Sequence, residues 1–190
     1  FFEIYNSYLE KKEYRLPTVI PYRIYIQWLE KQNEEESKNY WENYLQGYEG
    51  TANIPTVESS GSIKSGSSGD KNEYKKEQVL LELDKEKTGG LRYLAGKNQV
   101  TLNTMLQTVW GIILGRYNSK RDVVFGVVVS GRPSEIPGVE SMIGLFINTI
   151  PVRIKYEARS KFNELLKRVQ EETLKGERFH YYPLAKIQSE

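Results

Sequence analysis

Cysteine is absent from these 190 residues. That excludes disulfide scaffolds, iron–sulfur clusters, thiolate zinc sites and cysteine nucleophiles. Histidine occurs once, as His180, so no two histidines of this chain can share a metal. No apolar run is long enough to cross a bilayer. An excess of one charge is missing as well: 27 Lys and Arg oppose 25 Asp and Glu, for a net charge of +2. This balance points away from a nucleic-acid binder and from an acidic solvating tail. Neither standard Gly-rich phosphate loop occurs. The expectation is a cytoplasmic protein that binds no nucleic acid, no membrane and no metal.

Aromatic residues are abundant, with 14 Tyr, 6 Phe and 3 Trp, which argues for a packed core and against disorder. The length suits one domain. The chain opens Phe1-Phe2-Glu3-Ile4-Tyr5 at helical spacing, and it reads as a piece of a longer polypeptide. Pro21 starts a helical pattern with Tyr22, Tyr25, Ile26 and Leu29 on one face. The charged stretch Glu30 to Lys38 is expected to continue it, and Tyr40, Trp41, Tyr44 and Leu45 form a second apolar face. Gly47 and Gly50 stop the helix. Residues 57–72 are rich in Ser and Gly and read as a flexible loop.

Glu77 to Leu83 alternates like a strand, and a short helix follows over Lys85 to Lys97. Thr101 caps the clearest helix, with Leu102, Met105, Leu106, Val109, Trp110 and Ile113 as its apolar stripe and Asn118 as its stop. Val123 to Val129 reads as a buried strand, ended by Gly131-Arg132-Pro133. If it runs parallel to residues 77–83, the crossover between them is right-handed. Residues 134–142 look irregular. Ile147 to Tyr156 is another strand, where Pro151 marks an edge or a bulge. Ser160 is expected to cap a last helix bearing Phe162, Leu165, Leu166 and Val169, closed by Gly176. This order of elements implies an α/β layer structure.

Few constellations carry chemistry. His180 is the one candidate base, and Ser130 lacks the flanks of a nucleophile elbow, so His180 reads as structural. Arg132 follows a strand and a Gly, where it suits either a bound anion or a salt bridge that ties the loop down. Glu34, Glu35 and Glu36 are consecutive on a helix and do not converge on a metal. The Tyr and Trp pattern at helical spacing reads as packing. Asn148 and Arg153 lie on one strand, five positions apart, and point to opposite faces.

The segment Ile143-Gly144-Leu145-Phe146-Ile147-Asn148-Thr149-Ile150-Pro151-Val152-Arg153 closely resembles the I-G-x-F-V-N-T-x-x-x-R motif of condensation domains from non-ribosomal peptide synthetases. Ser130, Gly131 and Arg132 resemble the family's S-G-R segment. Gly138, Glu140 and Met142 resemble its approach to the longer motif. Tyr22, Tyr25 and Trp28 match three points of Y-x-D-Y-A-x-W, with Ile24 and Ile26 in place of Asp and Ala. Phe179 to Leu184 resembles a degraded H-Q-D-x-P-F motif, in which His180 falls one position late, so no role passes to it.

The resemblance covers nearly the whole chain but only the second half of such a domain. It implies a chloramphenicol-acetyltransferase-like two-layer sandwich, a mixed sheet flanked by helices, with residues 1–190 as the C-terminal subdomain. The family's H-H-x-x-x-D-G motif would lie upstream, so no catalytic residue is assigned and the fragment alone is expected to be inactive. Ser130, Gly131, Arg132, Gly144, Phe146, Asn148, Thr149 and Arg153 would line or brace the substrate tunnel, and Tyr22, Tyr25 and Trp28 would be structural. An exposed apolar surface is expected where the missing half docks. The implied partners are the N-terminal half, peptidyl carrier domains bearing phosphopantetheine and an adjacent adenylation domain, with no cofactor bound directly. The competing reading is a non-catalytic condensation-like module that recruits a carrier or tailoring partner.

Overall fold

The computed structural model describes residues 2–11, 20–53, 78 and 80–189. The loop expected over 57–72 lies outside them. Seven α-helices and two strands are assigned among the described residues: α1 Phe2–Leu9, α2 Arg23–Leu29, α3 Glu34–Leu45, α4 Lys85–Lys97, α5 Leu102–Tyr117, β1 Asp122–Ser130, β2 Ile147–Lys155, α6 Phe162–Gly176 and α7 Leu184–Gln188. Single 3₁₀ turns occupy Val139–Ser141 and Glu177–Phe179.

Strands β1 and β2 pair antiparallel. Tyr156 N donates to the Arg121 carbonyl at one end, and Gly131 N to the Phe146 carbonyl at the other. Both bonds belong to one register, so Pro151 falls opposite Gly126 with no net bulge. Counted from either bond, Pro151 occupies a position whose amide faces away from β1. A missing N–H costs the ladder nothing there, so Pro151 takes the edge option. Residues 78 and 80–83 carry no strand pairing; Leu80 and Leu81 stand in solvent. The expected crossover unit therefore has no first strand among the described residues.

Caps fix the helix ends. Asn33 Oδ1 accepts from Glu36 N at 3.1 Å, so α3 starts afresh there and does not continue α2. The side chain that stops one helix from running through is a better N-cap than a helix interior residue. Asp84 Oδ1 and Thr101 Oγ1 cap α4 and α5 at 2.7 and 3.0 Å. Gly47 ends the α3 region in the left-handed conformation at φ +68°. Ser160 is not the cap of α6. Its hydroxyl accepts from Glu157 N at 2.9 Å, closing the preceding turn, and Lys161 takes the N-cap position without a side-chain bond.

The chain divides into two compact units. Unit 1 comprises Phe1–Gln46, Val127–Ile150 and Arg178–Glu190; unit 2 comprises Gly47–Gly126 and Pro151–Glu177. Unit 1 holds two apolar clusters. One gathers Tyr25, Ile136, Val139, Met142 and Phe146, and the other gathers Trp41, Ile150, Phe179, Tyr182 and Ile187. Unit 2 packs Ala95, Val100 and Met105 against Leu166.

The buried face of α5 shares only Met105 with the expected stripe. Thr104, Met105, Thr108, Gly111, Leu114 and Gly115 are buried, while Leu106, Val109, Trp110 and Ile113 are exposed. Close approach decides this. A Cβ on Gly111 would stand 2.6 Å from Cβ of Ile154, so the small face of the helix is the one that fits against β2. Thr101 N and Thr104 Oγ1 both donate to Gln170 Oε1 at 2.9 Å, which locks α5 to α6.

Candidate functional site

Unit 1 brings together most of the residues singled out in the sequence. Tyr22, Tyr25 and Phe146 form a ring cluster, with centroids 5.4 Å apart for the tyrosines and 5.2 and 4.7 Å from each to Phe146. Trp28 stacks on Tyr25 at 6.0 Å and meets the edge of Tyr181 at 5.2 Å. The helical spacing of α2 places these rings on one side of the helix.

Two glycines admit this packing. A Cβ on Gly144 would sit inside the Tyr22 ring, 2.8 Å from its Cγ. At Gly131 a Cβ would meet the Phe146 carbonyl, to which the Gly131 amide donates at 2.8 Å. The Tyr22 hydroxyl donates to the Leu145 carbonyl at 2.6 Å. Any side chain at either glycine would part the two motif segments.

Arg132 ties the loop that follows β1. Its guanidinium donates through Nη1 to the carbonyls of Val139 and, at 3.0 Å, of Met142. It lies 4.0 Å from the Phe146 ring centroid. Its partners are carbonyls and a π face, where the sequence had offered an anion or a carboxylate. Gly138 turns this loop at φ +74°.

Asn148 occupies the entry of β2. Its amide nitrogen donates both protons, to the carbonyls of His180 at 2.8 Å and Tyr182 at 2.7 Å. That holds the turn between α6 and α7 against the strand. Tyr181 shares a 2.6 Å hydrogen bond with the buried Ser37 hydroxyl. The pairing of Asn148 with 180–182 was not visible in the sequence; the amide at the mouth of an apolar strand was its one signal. Thr149 is half-buried on β2, and Ser130 is exposed at the end of β1.

Arg153 stands apart from this group, in unit 2. It grips Asp122 as a fork, Nε to Oδ1 at 2.8 Å and Nη2 to Oδ2 at 2.6 Å. Asp122 lies opposite Lys155 in the strand register, so Arg153 is its diagonal neighbour on the same face. The hydrogen bond from Arg153 holds the Asp122 carboxyl below its ordinary range, against the opposing effect of burial.

The chemistry of the unit 1 site is positional. Burial, with the neighbouring Tyr22, raises the Tyr25 hydroxyl above its ordinary value, so it stays protonated. Among the described residues no three His, Asp or Glu gather to hold a metal. Glu34 and Glu36 pair with Lys186 and, at 3.0 Å, with Arg178. Beside the aromatic cluster, Ile143, Leu145 and Ile147 are 84%, 75% and 68% exposed. Three large aliphatic residues thus stand in water on one short segment. No described helix is long and apolar enough to cross a membrane.

A family model described as Condensation domain matches residues 1–190. Bacitracin synthase 3 of Bacillus licheniformis is 44% identical over 188 residues, 99% of this chain and 3% of that protein. Surfactin synthase subunit 3 of Bacillus subtilis (strain 168) is 44% identical over 189 residues, 100% of this chain and 14% of that protein. The chain thus spans a small fraction of these curated relatives. Among solved structures, the first condensation domain of the CDA synthetase superposes with a TM-score of 0.72 at 17% identity, over 95% of this chain and 38% of that one. The X-domain from teicoplanin biosynthesis does so with a TM-score of 0.69 at 24% identity, over 97% and 41%. At these identities the structural likeness speaks for the fold.

Proposed function

The chain belongs to the condensation-domain family, and on that premise we propose that it forms the C-terminal part of a peptide synthetase condensation domain. The observation that carries this is the Tyr22–Tyr25–Phe146–Arg132 cluster, which clamps the 130–132 segment to the 143–149 segment. Two features support a missing complement: the coverage of 38% of a solved condensation-domain chain, and the exposed side chains of Ile143, Leu145 and Ile147.

In this reading the reaction joins two acyl groups held on carrier domains by phosphopantetheine thioesters. The amine of one attacks the thioester carbonyl of the other. A C–N bond forms, the C–S bond breaks, and the thiol leaves with the proton. The chain's own contribution is the tunnel wall. Arg132 and Asn148 are positioning residues, because their side chains brace backbone carbonyls. Orienting two reactants is worth roughly 7–11 kcal/mol in favourable cases, so a braced wall has leverage. The chain binds no cofactor itself. Its partners are the preceding half of the domain, the carriers and a neighbouring adenylation domain, in the cytoplasm.

The test is Asn148→Ala in the parent synthetase. Amide formation is expected to fall by about tenfold or more, in keeping with the cost of small misplacements, while thioester loading of both carriers is unchanged. Undiminished amide formation would overturn the reading. So would an upstream coding sequence without H-H-x-x-x-D-G, and the chain would then be a recruiting module.

A further inference from the structure

We propose that unit 2 carries a binding site for a small organic phosphate monoester, in the cavity of about 650 Å³ between the end of α5 and the start of α6. Arg116, Lys120 and Arg121 line it from one side. Among the described residues Arg116 and Arg121 make no ion pair, and the Lys120 ammonium reaches only the Thr51 carbonyl at 3.4 Å. A single carboxylate, Glu157, lines the same cavity. The local balance is thus three cations against one anion, a net of +2, equal to the net charge of the entire chain. Three cations around one concavity with a single carboxylate among them still repel each other, and an anion seated there reduces that cost.

The rest of the lining specifies the class of anion. Ser119, Ser160 and Tyr156 bring hydroxyls, which suit the several oxygens of a phosphate. Phe162 and Ile112 form an apolar wall for the esterified group. The negative end of α5 is masked at this place: Asn118 Nδ2 donates to the Leu114 carbonyl at 2.7 Å and Lys120 N to the Gly115 carbonyl at 2.8 Å. The start of α6, by contrast, has no side-chain cap, so its first amides add to the positive field. The cavity is lined from two stretches of unit 2, residues 112–121 and 156–165, so a bound monoester would bridge α5, the turn that follows β2, and α6.

The test titrates the 190-residue protein with phenyl phosphate, inorganic phosphate, phenol and a polyglutamate peptide at equal ionic strength, by isothermal calorimetry. The triple variant R116Q/K120Q/R121Q is titrated in parallel. All three side chains are exposed, and circular dichroism checks that the fold is kept. Saturable phenyl phosphate binding is expected, weakened about tenfold or more in the triple variant, since charge-assisted bonds are lost. Binding is expected to weaken at a pH below the second phosphate ionisation, with phenol silent. Equal binding by the two proteins overturns the proposal. So does inorganic phosphate binding as tightly as phenyl phosphate. Tighter binding of polyglutamate overturns it in favour of an acidic protein segment.

Discussion

Removing Asp122 should cost more than removing Arg153, although each deletes the same ion pair. The Arg153 side chain is 9% exposed and that of Asp122 27%. Asp122→Ala takes both fork hydrogen bonds from a nearly buried guanidinium. Breaking a buried pair on one side costs about 3–5 kcal/mol. Arg153→Met leaves a carboxylate that still reaches water and has the Lys155 ammonium at 3.8 Å. The expected cost there is about 1–2 kcal/mol. The double variant D122L/R153M removes both members of the fork, and its cost should fall short of the summed single costs by about 1 kcal/mol or more.

Urea unfolding followed by far-ultraviolet circular dichroism measures all three. The pH dependence adds a signature. The Asp122 carboxyl titrates below its unfolded value, so its contribution is whole above the ordinary carboxylate range and is lost as pH falls through the folded value. Asp122→Asn should flatten the acid limb of the stability curve. If Arg153→Met proves the costlier change, or the costs simply add, the burial argument is refuted.

Two further changes probe unit 2. Gly111→Ala drives a methyl into Ile154 and should destabilise by about 1–3 kcal/mol in urea, with partial recovery in G111A/I154A; an unchanged midpoint would mean α5 can lift off β2 freely. Burial raises the Glu172 carboxyl above its ordinary value, against the pull of Arg168, Lys175 and Arg153. A raised carboxyl loses stability as pH climbs from the unfolded value through the folded one. Glu172→Gln should therefore raise the urea midpoint at neutral pH and leave it alone in acid; a lower midpoint at neutral pH would show Glu172 to be a stabilising ion.

Local chemistry settled much of this protein in advance. Thr101 as the cap of α5, Asn118 as its stop, Gly47 as the end of α3 and Pro151 at an edge position all follow from the backbone needs of single residues, and the structure places them so. The family was legible too, because its motif segments are continuous in sequence. Tertiary packing decided the rest. Ranking α5 by side-chain size pointed to its large stripe, but the distance between helix and strand selected Gly111 and the threonines. Asn33 split the second helical pattern because its cap bond outweighs continuity. The partners of Arg132, Asn148 and Arg153 are two carbonyls of a loop, two carbonyls over thirty residues away and an aspartate set by strand register. A sequence names a donor; only the folded chain, by bringing distant backbone within about 3 Å, names its acceptor.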